Sequence, residues 1–405
     1  MTGARRRAVS WSAPPPPNEG QKPFTPILTN RGVHRARKEK QAMYLSMIDY
    51  LSFSVDIFDY EKDHIKKLLD QLEHYKQQSS HTGLKEDAEN ATIDLSGVAF
   101  EVLGNGTRGY AYILHNDEYE IRISKYRAKN KAMYPLFVRI KQDALWGHTP
   151  MGAYKYILYW IQLTIGQIKA TKINRADLCC HTDVFRFDIS DANRFRGQFR
   201  GVGTRSYNRK LTGLEFGERQ SPIFLRIYNK TTEVVKKNKK LWFLKLWDDE
   251  GADITNVWNV EFELHRDFFK EIHLETVDDL FDRLKDIWLY LTTEWVEFVD
   301  LDNKRFKRCS VNEEWQQIVK QYDGACSQGC ISRDRQTSID SKTLIPQISG
   351  YMTKLGAMLK QDNINDVFKL AVSQVNDYFE NKGMTFKDRT NEKMELMGLK
   401  LVGEK

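Results

Sequence analysis

With 405 residues, of which 41% are hydrophobic and 12% aromatic, the chain has the apolar content of a folded protein with a sizeable core, which excludes a wholly disordered one. Its formal net charge of +7 favours polyanionic partners. Five cysteines, an odd number with Cys179 and Cys180 adjacent, exclude the paired framework of a small secreted domain and favour a reducing cytoplasm.

Residues 1–42 are rich in Pro, Arg and Lys and lack hydrophobic periodicity, so a basic disordered tail is expected there, either an arm for a DNA backbone or a merely solvated segment. Its Pro-rich stretch at 12–23 stands where the apolar core of a signal peptide would fall. Alternating residues predict a strand over 47–58, and Ile65, Leu68, Leu69 and Leu72 predict a helix over 61–77, followed by a polar loop over 78–93. Strands are expected at 98–103 and 109–115, joined by a Gly- and Asn-containing turn, and at 118–124 and 136–142. A helix over 151–169 follows; its apolar part is too short for a membrane span and is interrupted by Lys155 and Gln162, so no membrane partner is expected. Helices are expected again at 276–299 and 311–322. Cys326 and Cys330 have a spacing that suits zinc, but no second Cys or His pair lies near, so a loop with two thiols is the plainer reading. A polar linker over 331–342 then leads to amphipathic helical stretches at 343–360 and 364–383. The expected fold class is α+β, a largely antiparallel sheet with flanking helices and a small C-terminal helical appendage. The expected domains are the tail over 1–42, a main domain over 43–330, and the linker with C-terminal helices over 331–405.

Three stretches, 175–183, 223–230 and 260–266, read as strands that are apolar on one side and chemically loaded on the other. Asp177, His181 and Asp183 share one face of the first, Arg226, Tyr228 and Lys230 one face of the second, and Glu261, Glu263 and His265 one face of the third. Leu178 and Cys180, with Ile223, Leu225, Ile227, Val260, Phe262 and Leu264, supply the core faces. Aligned in one sheet, these strands would surround a tyrosine flanked by cations with acids and imidazoles that suit a metal, which is chemistry for a phosphodiester. Two readings stand side by side for the acids: ligands for one divalent ion, or sheet-surface carboxylates paired with Arg175, Arg226 and Arg266. Asp188 and Asp191 fit a solvated turn better than a cation loop. Upstream of the second strand, Arg194, Arg196, Arg200, Arg205 and Arg209 are interleaved with Phe195, Phe199 and Tyr207, a pattern suited to phosphate contacts and base stacking; the run Lys236–Lys240 fits a solvated loop between strands.

The chain resembles the replication initiation factor family, the rolling-circle initiators and related relaxases of Gram-positive plasmids, phages and integrative elements. The opening strand over 48–55, the Arg-x-Asp strand over 173–183, the Gly-containing hairpin over 212–230 that ends in Leu-Arg-x-Tyr-x-Lys, and the Glu-bearing strand and helix over 258–271 carry the resemblance, which covers roughly residues 45–300. The hairpin is its most specific part. Two positions depart from the family's pattern: His181 stands where an Asp is frequent, and Asn259 where an Arg commonly precedes the Glu strand.

The resemblance implies a metal-dependent DNA strand transferase, a nicking endonuclease of type I topoisomerase character. It implies Tyr228 as nucleophile, with Tyr207 in reserve, Arg226 and Lys230 as its cationic flank, and Asp177, Glu261 and Glu263 as ligands for Mg²⁺ or Mn²⁺. It further implies origin DNA in single-stranded or hairpin form as partner, a separate host helicase and a polymerase, and it leaves room for a homodimer. Transfer to the tyrosine is reversible and needs no ATP, in keeping with the lack of a phosphate-binding Gly-x-x-x-x-Gly-Lys-Ser/Thr loop. Two rivals remain at this stage, a non-catalytic DNA-binding regulator and a metal-dependent hydrolytic nuclease.

Overall fold

Alternation of apolar and polar residues extends over unusually long stretches in two places, and those become the two central strands of a computed structural model that describes residues 42–81, 91–127, 133–333 and 341–396. In chain order the strands are β1 (Tyr44–Ile57), β2 (Ala91–Leu95), β3 (Val98–Val102), β4 (Tyr112–His115), β5 (Tyr119–Ile123), β6 (Leu136–Ile140), β7 (Ile168–Thr182), β8 (Phe195–Gly197), β9 (Val202–Tyr207), β10 (Lys210–Phe216), β11 (Ile223–Asn229), β12 (Trp258–His265) and β13 (Val296–Phe298). Eleven of them form one antiparallel sheet in the order β2-β3-β4-β5-β6-β1-β7-β12-β11-β10-β9. The topology has two halves built alike. Each begins with a long central strand, β1 or β7, leaves the sheet, and returns as a meander whose last strand, β6 or β12, pairs with the strand that began it.

The helices of the main unit are α1 (Asp63–His81), α2 (Gln142–Gly147), α3 (Pro150–Thr164), α4 (Lys230–Lys237), α5 (Trp242–Asp249), α6 (Arg266–Glu271), α7 (Val277–Asp282), α8 (Leu284–Tyr290) and α9 (Glu313–Val319). On one side of the sheet Phe53, Phe100 and Phe262 meet Tyr154 and Trp160 of α3 and Trp288 of α8, with ring centroids 5.1–5.5 Å apart. The apolar stripe of α1, Ile65, Leu68 and Leu72, joins the same core. The other side is polar and holds the candidate site.

The α+β class and the flanking helices agree with expectation, and several boundaries do not. The expected helix over 276–299 breaks into α7 and α8, passes through a wide turn, and gives way to β13, which pairs with β8. The residues Val296, Glu297 and Phe298 alternate, so they satisfy a strand edge at least as well as a helix face. The run Lys236–Lys240 is not a loop between strands but the end of α4 and the left-handed turn at Asn238 that stops it. The helix expected to reach residue 169 stops at Thr164, and α1 runs on to His81 into what was expected to be loop. The chain divides into two compact units at Arg333 and Asp334. The second contains α10 (Ser341–Leu359), α11 (Ile364–Glu380) and a helix absent from the sequence expectation, α12 (Phe386–Leu396). The basic tail and most of the linker lie outside the described residues. Among the described residues no helix is long and apolar enough to cross a membrane.

Candidate functional site

The three loaded strands are neighbours, in the order β7-β12-β11, and their register aligns the polar faces. Arg226 stands opposite Glu261, Tyr228 opposite Asn259, Glu263 opposite Asp177, and His265 opposite Arg175. On the flank of β11, Gly213 of β10 lies opposite Tyr228, and a Cβ there would come within 3.4 Å of the tyrosine's own Cβ. The missing side chain leaves one side of Tyr228 open.

Tyr228 is half-buried, and its phenol oxygen is held by three side chains. Lys230 Nζ donates to it at 2.9 Å and Asn259 Nδ2 at 3.0 Å, while the phenol donates to Glu261 Oε2 at 2.8 Å. Burial and Glu261 push the phenol well above its ordinary range, with Lys230 opposing, so at rest it keeps its proton. Lys230 is not on the strand but is the first residue of α4, 4% exposed, with Asp49 at 3.6 Å and Glu233 at 3.1 Å. Burial disfavours its charge, yet Tyr228, Asp49 and Glu233 hold the ammonium well above the ordinary lysine range.

The three acids converge on one cation. Arg226 Nη2 bonds Glu261 Oε1 and lies 3.9 Å from Asp177 and 3.8 Å from Glu263. Arg175 binds Asp177 with two nitrogens, at 2.8 and 2.7 Å, and Glu263 at 2.8 Å; His265 is 3.0 Å from Glu263. Arg266, in contrast, pairs with Glu275, away from the acids. Burial, with Glu261 and Glu263 adding to it against Arg175, pushes the Asp177 carboxyl up to about 8. For Glu263 the penalty of burial is outweighed by His265, Arg175 and Arg226, and its carboxyl is lowered. Three carboxylates thus face a single guanidinium nitrogen, but among the described residues only Asp49, Cys179 and His181 gather ligand atoms within 4.8 Å, so one ion shared by the three acids would need Arg226 displaced and their oxygens drawn closer. Glu261 presents Oε1 to that cation and Oε2 to the tyrosine.

Sequence reasoning missed Asp49 and Cys179. A bulge in β1, where the register steps from Ile48 opposite Leu178 to Tyr50 opposite Asp177, puts Asp49 and Tyr50 side by side on the polar face. The signal in the sequence is an aspartate set directly between the apolar Ile48 and the aromatic Tyr50 in the middle of a strand. Asp49 accepts from Trp146 Nε1 at 2.7 Å and from Gln142, and is 5% exposed. Asp49, Cys179 and His181 offer ligand atoms all within 4.8 Å of one another, a possible metal triad. His181 is fully buried, stacked on Trp146 at 4.8 Å, and its Nδ1 accepts from Trp247 Nε1 at 3.2 Å. Burial and Lys230 depress its imidazolium to about 3, so the ring is neutral with its proton on Nε2, and ligation through that atom would cost the Trp247 bond.

Other expected residues stand elsewhere. Asp183 lies past the end of β7 and accepts from the backbone N–H groups of Met43 and Asp253. Asp188 and Asp191 form a reciprocal cap on a short turn. Of the arginine series, Arg194 pairs with Asp191 and Asp300 and covers the ring of Phe298, and Arg196 pairs with Glu297 and the carbonyls of Lys307 and Cys309. Both brace the β8–β13 region. Phe195 is buried in an aromatic cluster, and Phe199 packs on Phe216. Arg200, Arg205 and Arg209 are exposed. Arg205, which pairs with Glu215, shares a cleft of about 370 Å³ with Tyr207, Arg219, Lys236 and Tyr228, and Lys236 lies 3.9 Å above the half-exposed Tyr207 ring. A second cleft of about 690 Å³ also reaches Tyr228 and is mixed in charge, with Tyr50, Arg139, Lys141, Lys239 and Lys240 at its edge beside Asp117 and Asp143. Cys326 and Cys330 are exposed free thiols.

Fold and site together define an α+β protein whose antiparallel sheet carries a tyrosine between a basic cleft and one of mixed charge, beside a triad of acids. No protein-family model matches the chain, and no curated protein matches it. Among solved structures it is similar to a rolling circle replication initiator protein from Geobacillus stearothermophilus, at 16% identity, covering 72% of this chain and 100% of that one, with a TM-score of 0.42.

Proposed function

We propose that the chain is a DNA strand transferase that nicks one strand at an origin through Tyr228 and so starts rolling-circle replication or conjugal transfer. The observation that carries this reading is the tyrosine oxygen itself, where a basic cleft meets one of mixed charge, with Lys230 and Asn259 donating to it and Glu261 accepting from it. Attack forms the bond from Tyr228 Oη to phosphorus and breaks the bond to the 3′ oxygen. The phenol proton passes to Glu261, Lys230 stabilises the developing phenolate, and the departing 3′ oxygen takes a proton from water. The products are a 5′-phosphotyrosyl link and a free 3′-OH, which a polymerase extends. Rejoining is the reverse transfer.

Asp177, Glu261 and Glu263 would hold a divalent ion, Mg²⁺ or Mn²⁺, which supplies Lewis-acid polarisation of the scissile phosphate when bound. Arg226, now paired with Glu261, would neutralise charge on the phosphoryl oxygens. Arg205 supplies a backbone contact at the cleft that leads to Tyr228, and Arg200 and Arg209, exposed beyond the two ends of β9, add positive charge outside it.

Supercoiled plasmid bearing the element's own origin, incubated with the protein and Mg²⁺ or Mn²⁺, should yield a nicked strand with a protease-sensitive adduct. Tyr228→Phe should lose nick and adduct together while its melting curve stays that of a folded protein. A nick without an adduct would mean hydrolysis by water, and binding without a nick would mean a regulator.

A further inference from the structure

The polar face does not end at the tyrosine site. Across β7, β1, β6 and β5 it becomes a field of half-buried rings, each covered by a cation. Arg175 and Arg139 lie 4.5 and 4.8 Å from the ring of Tyr50, and Arg122 lies 4.7 Å from Phe137. Lys172 lies 4.7 Å from Tyr134. Beyond Phe137 a shallow cavity of about 400 Å³, wide open to solvent, is lined by Ser54, Tyr110, Tyr134, Phe137, Lys172 and Asn174, with Met133 at its edge. That volume falls in the range of about 300–1,000 Å³ typical of small-ligand sites.

The lining suits a flat aromatic group that carries a negative charge at its edge. Tyr110 and Phe137 stand 6.2 Å apart and tilted at 55°, and Asn174 donates to Ser54 Oγ at 2.8 Å, which leaves a polar floor beneath the rings. Burial, with Arg266 and Lys270 adding to it against Glu275, lowers the Lys172 ammonium, and Arg266 and Lys270 are the cations it feels at this rim. Tyr228 on β11 and Phe137 on β6 are separated by four strand spacings, roughly 19 Å, a span that a few nucleotides of extended single strand cover. The cleft edged by Tyr50 and Arg139 lies between them.

We propose that this cavity is a base-binding subsite for single-stranded DNA, in which one unstacked base enters against Tyr110, Tyr134 and Phe137 while Lys172 meets its phosphate. The proposal rests on the nicking reading only for the direction of the strand, which runs from Tyr228 across Tyr50 to the cavity. Base stacking on aromatic side chains tolerates any sequence, so the subsite holds the strand without reading it.

The test uses the full chain with Tyr228→Phe and fluorescein-labelled oligothymidylates of about 2 and about 15 nucleotides, the shorter too short to span the distance between the sites, with binding read by anisotropy. Tyr134→Leu with Lys172→Met should weaken the longer probe about tenfold and leave the shorter one unchanged, because only the longer reaches both sites. Tyr134→Trp, which keeps an aromatic face, should bind as the parent does and so separates lost stacking from lost folding. A 5-iododeoxyuridine placed along the longer probe should crosslink to Tyr110 or Tyr134 at one position. Equal affinities for all variants, an equal loss on duplex DNA, or crosslinks only outside the cavity would overturn the proposal. The adduct assay with Tyr228 intact is a separate readout: length-dependent loss without any adduct keeps the subsite and removes the nicking reading.

Discussion

Replacing Lys230 by methionine removes a charge while filling nearly the same volume, so the expected loss is electrostatic and not one of packing. The Lys230 ammonium lies 3.6 Å from Asp49, 3.1 Å from Glu233 and 2.9 Å from Tyr228 Oη. Glu233 has a side chain 30% exposed and rehydrates when its partner leaves; Asp49, with 4%, cannot. Removing one partner of a buried ion pair costs about 3–5 kcal/mol. Asp49 still keeps its bonds from Trp146 and Gln142, which places Lys230→Met near the lower end, at about 3 kcal/mol. Adding Asp49→Asn removes the orphaned charge and should restore about 2 kcal/mol, a coupling typical of directly paired residues. Urea denaturation of the single and double variants at pH 7 gives both numbers, and the plasmid adduct assay should show no product for either. A single variant within about 1 kcal/mol of wild type would refute the buried pair, since a solvent-screened contact is worth no more than that. Adduct formation by the double variant would refute the role of Lys230 at the phenol.

Arg226→Met should empty the centre of the acid triad and tighten Mn²⁺ binding, read by titration calorimetry without DNA, by roughly tenfold or ~1.4 kcal/mol; unchanged or weaker binding would mean the acids do not share that centre. The folded state refuses a proton at His181, whose imidazolium is depressed to about 3 by burial and Lys230, whereas the unfolded chain accepts one near the ordinary value of 6.5. Stability therefore falls as pH drops from 6.5 toward 3, and by pH 5 this group accounts for about 2 kcal/mol. His181→Asn keeps an acceptor for Trp247 and should flatten that part of the profile between pH 7.5 and pH 5; parallel profiles would contradict the neutral buried ring. Arg194→Met should lower stability by about 1–3 kcal/mol and leave single-strand affinity intact, because its partners are internal. Arg205→Ala and Lys236→Ala should instead each reduce the salt slope of single-strand binding by about 0.7.

The faces of the three loaded strands were legible in the sequence because side chains in a strand alternate with a period of two, so Asp177, Tyr228, Glu261 and Glu263 could be sorted without coordinates. Local alternation also gave the core residues opposite them. What alternation could not give is pairing. Arg194 and Arg205 are alike in sequence context, yet one is braced by Asp191 three residues before it and by Asp300 more than a hundred residues on, and the other edges an open cleft. The lysines over 236–240 read as solvated charge because their neighbours in sequence are polar, while the fold sets Lys236 over Tyr207 and Lys240 against Gln142.

By itself, then, the sequence determined an α+β chain with a tyrosine flanked by cations and three acids on facing strand positions, since those properties follow from the local periodicity of the backbone. Only the tertiary structure decided which charges meet. It decided that Arg226 fills the centre of the acids, that a bulge turns Asp49 toward Lys230, and that His181 belongs to an aromatic enclosure. Those outcomes depend on strand register and on a one-residue insertion in β1, and contacts of that kind between distant residues leave no mark on the spacing of residues along the chain.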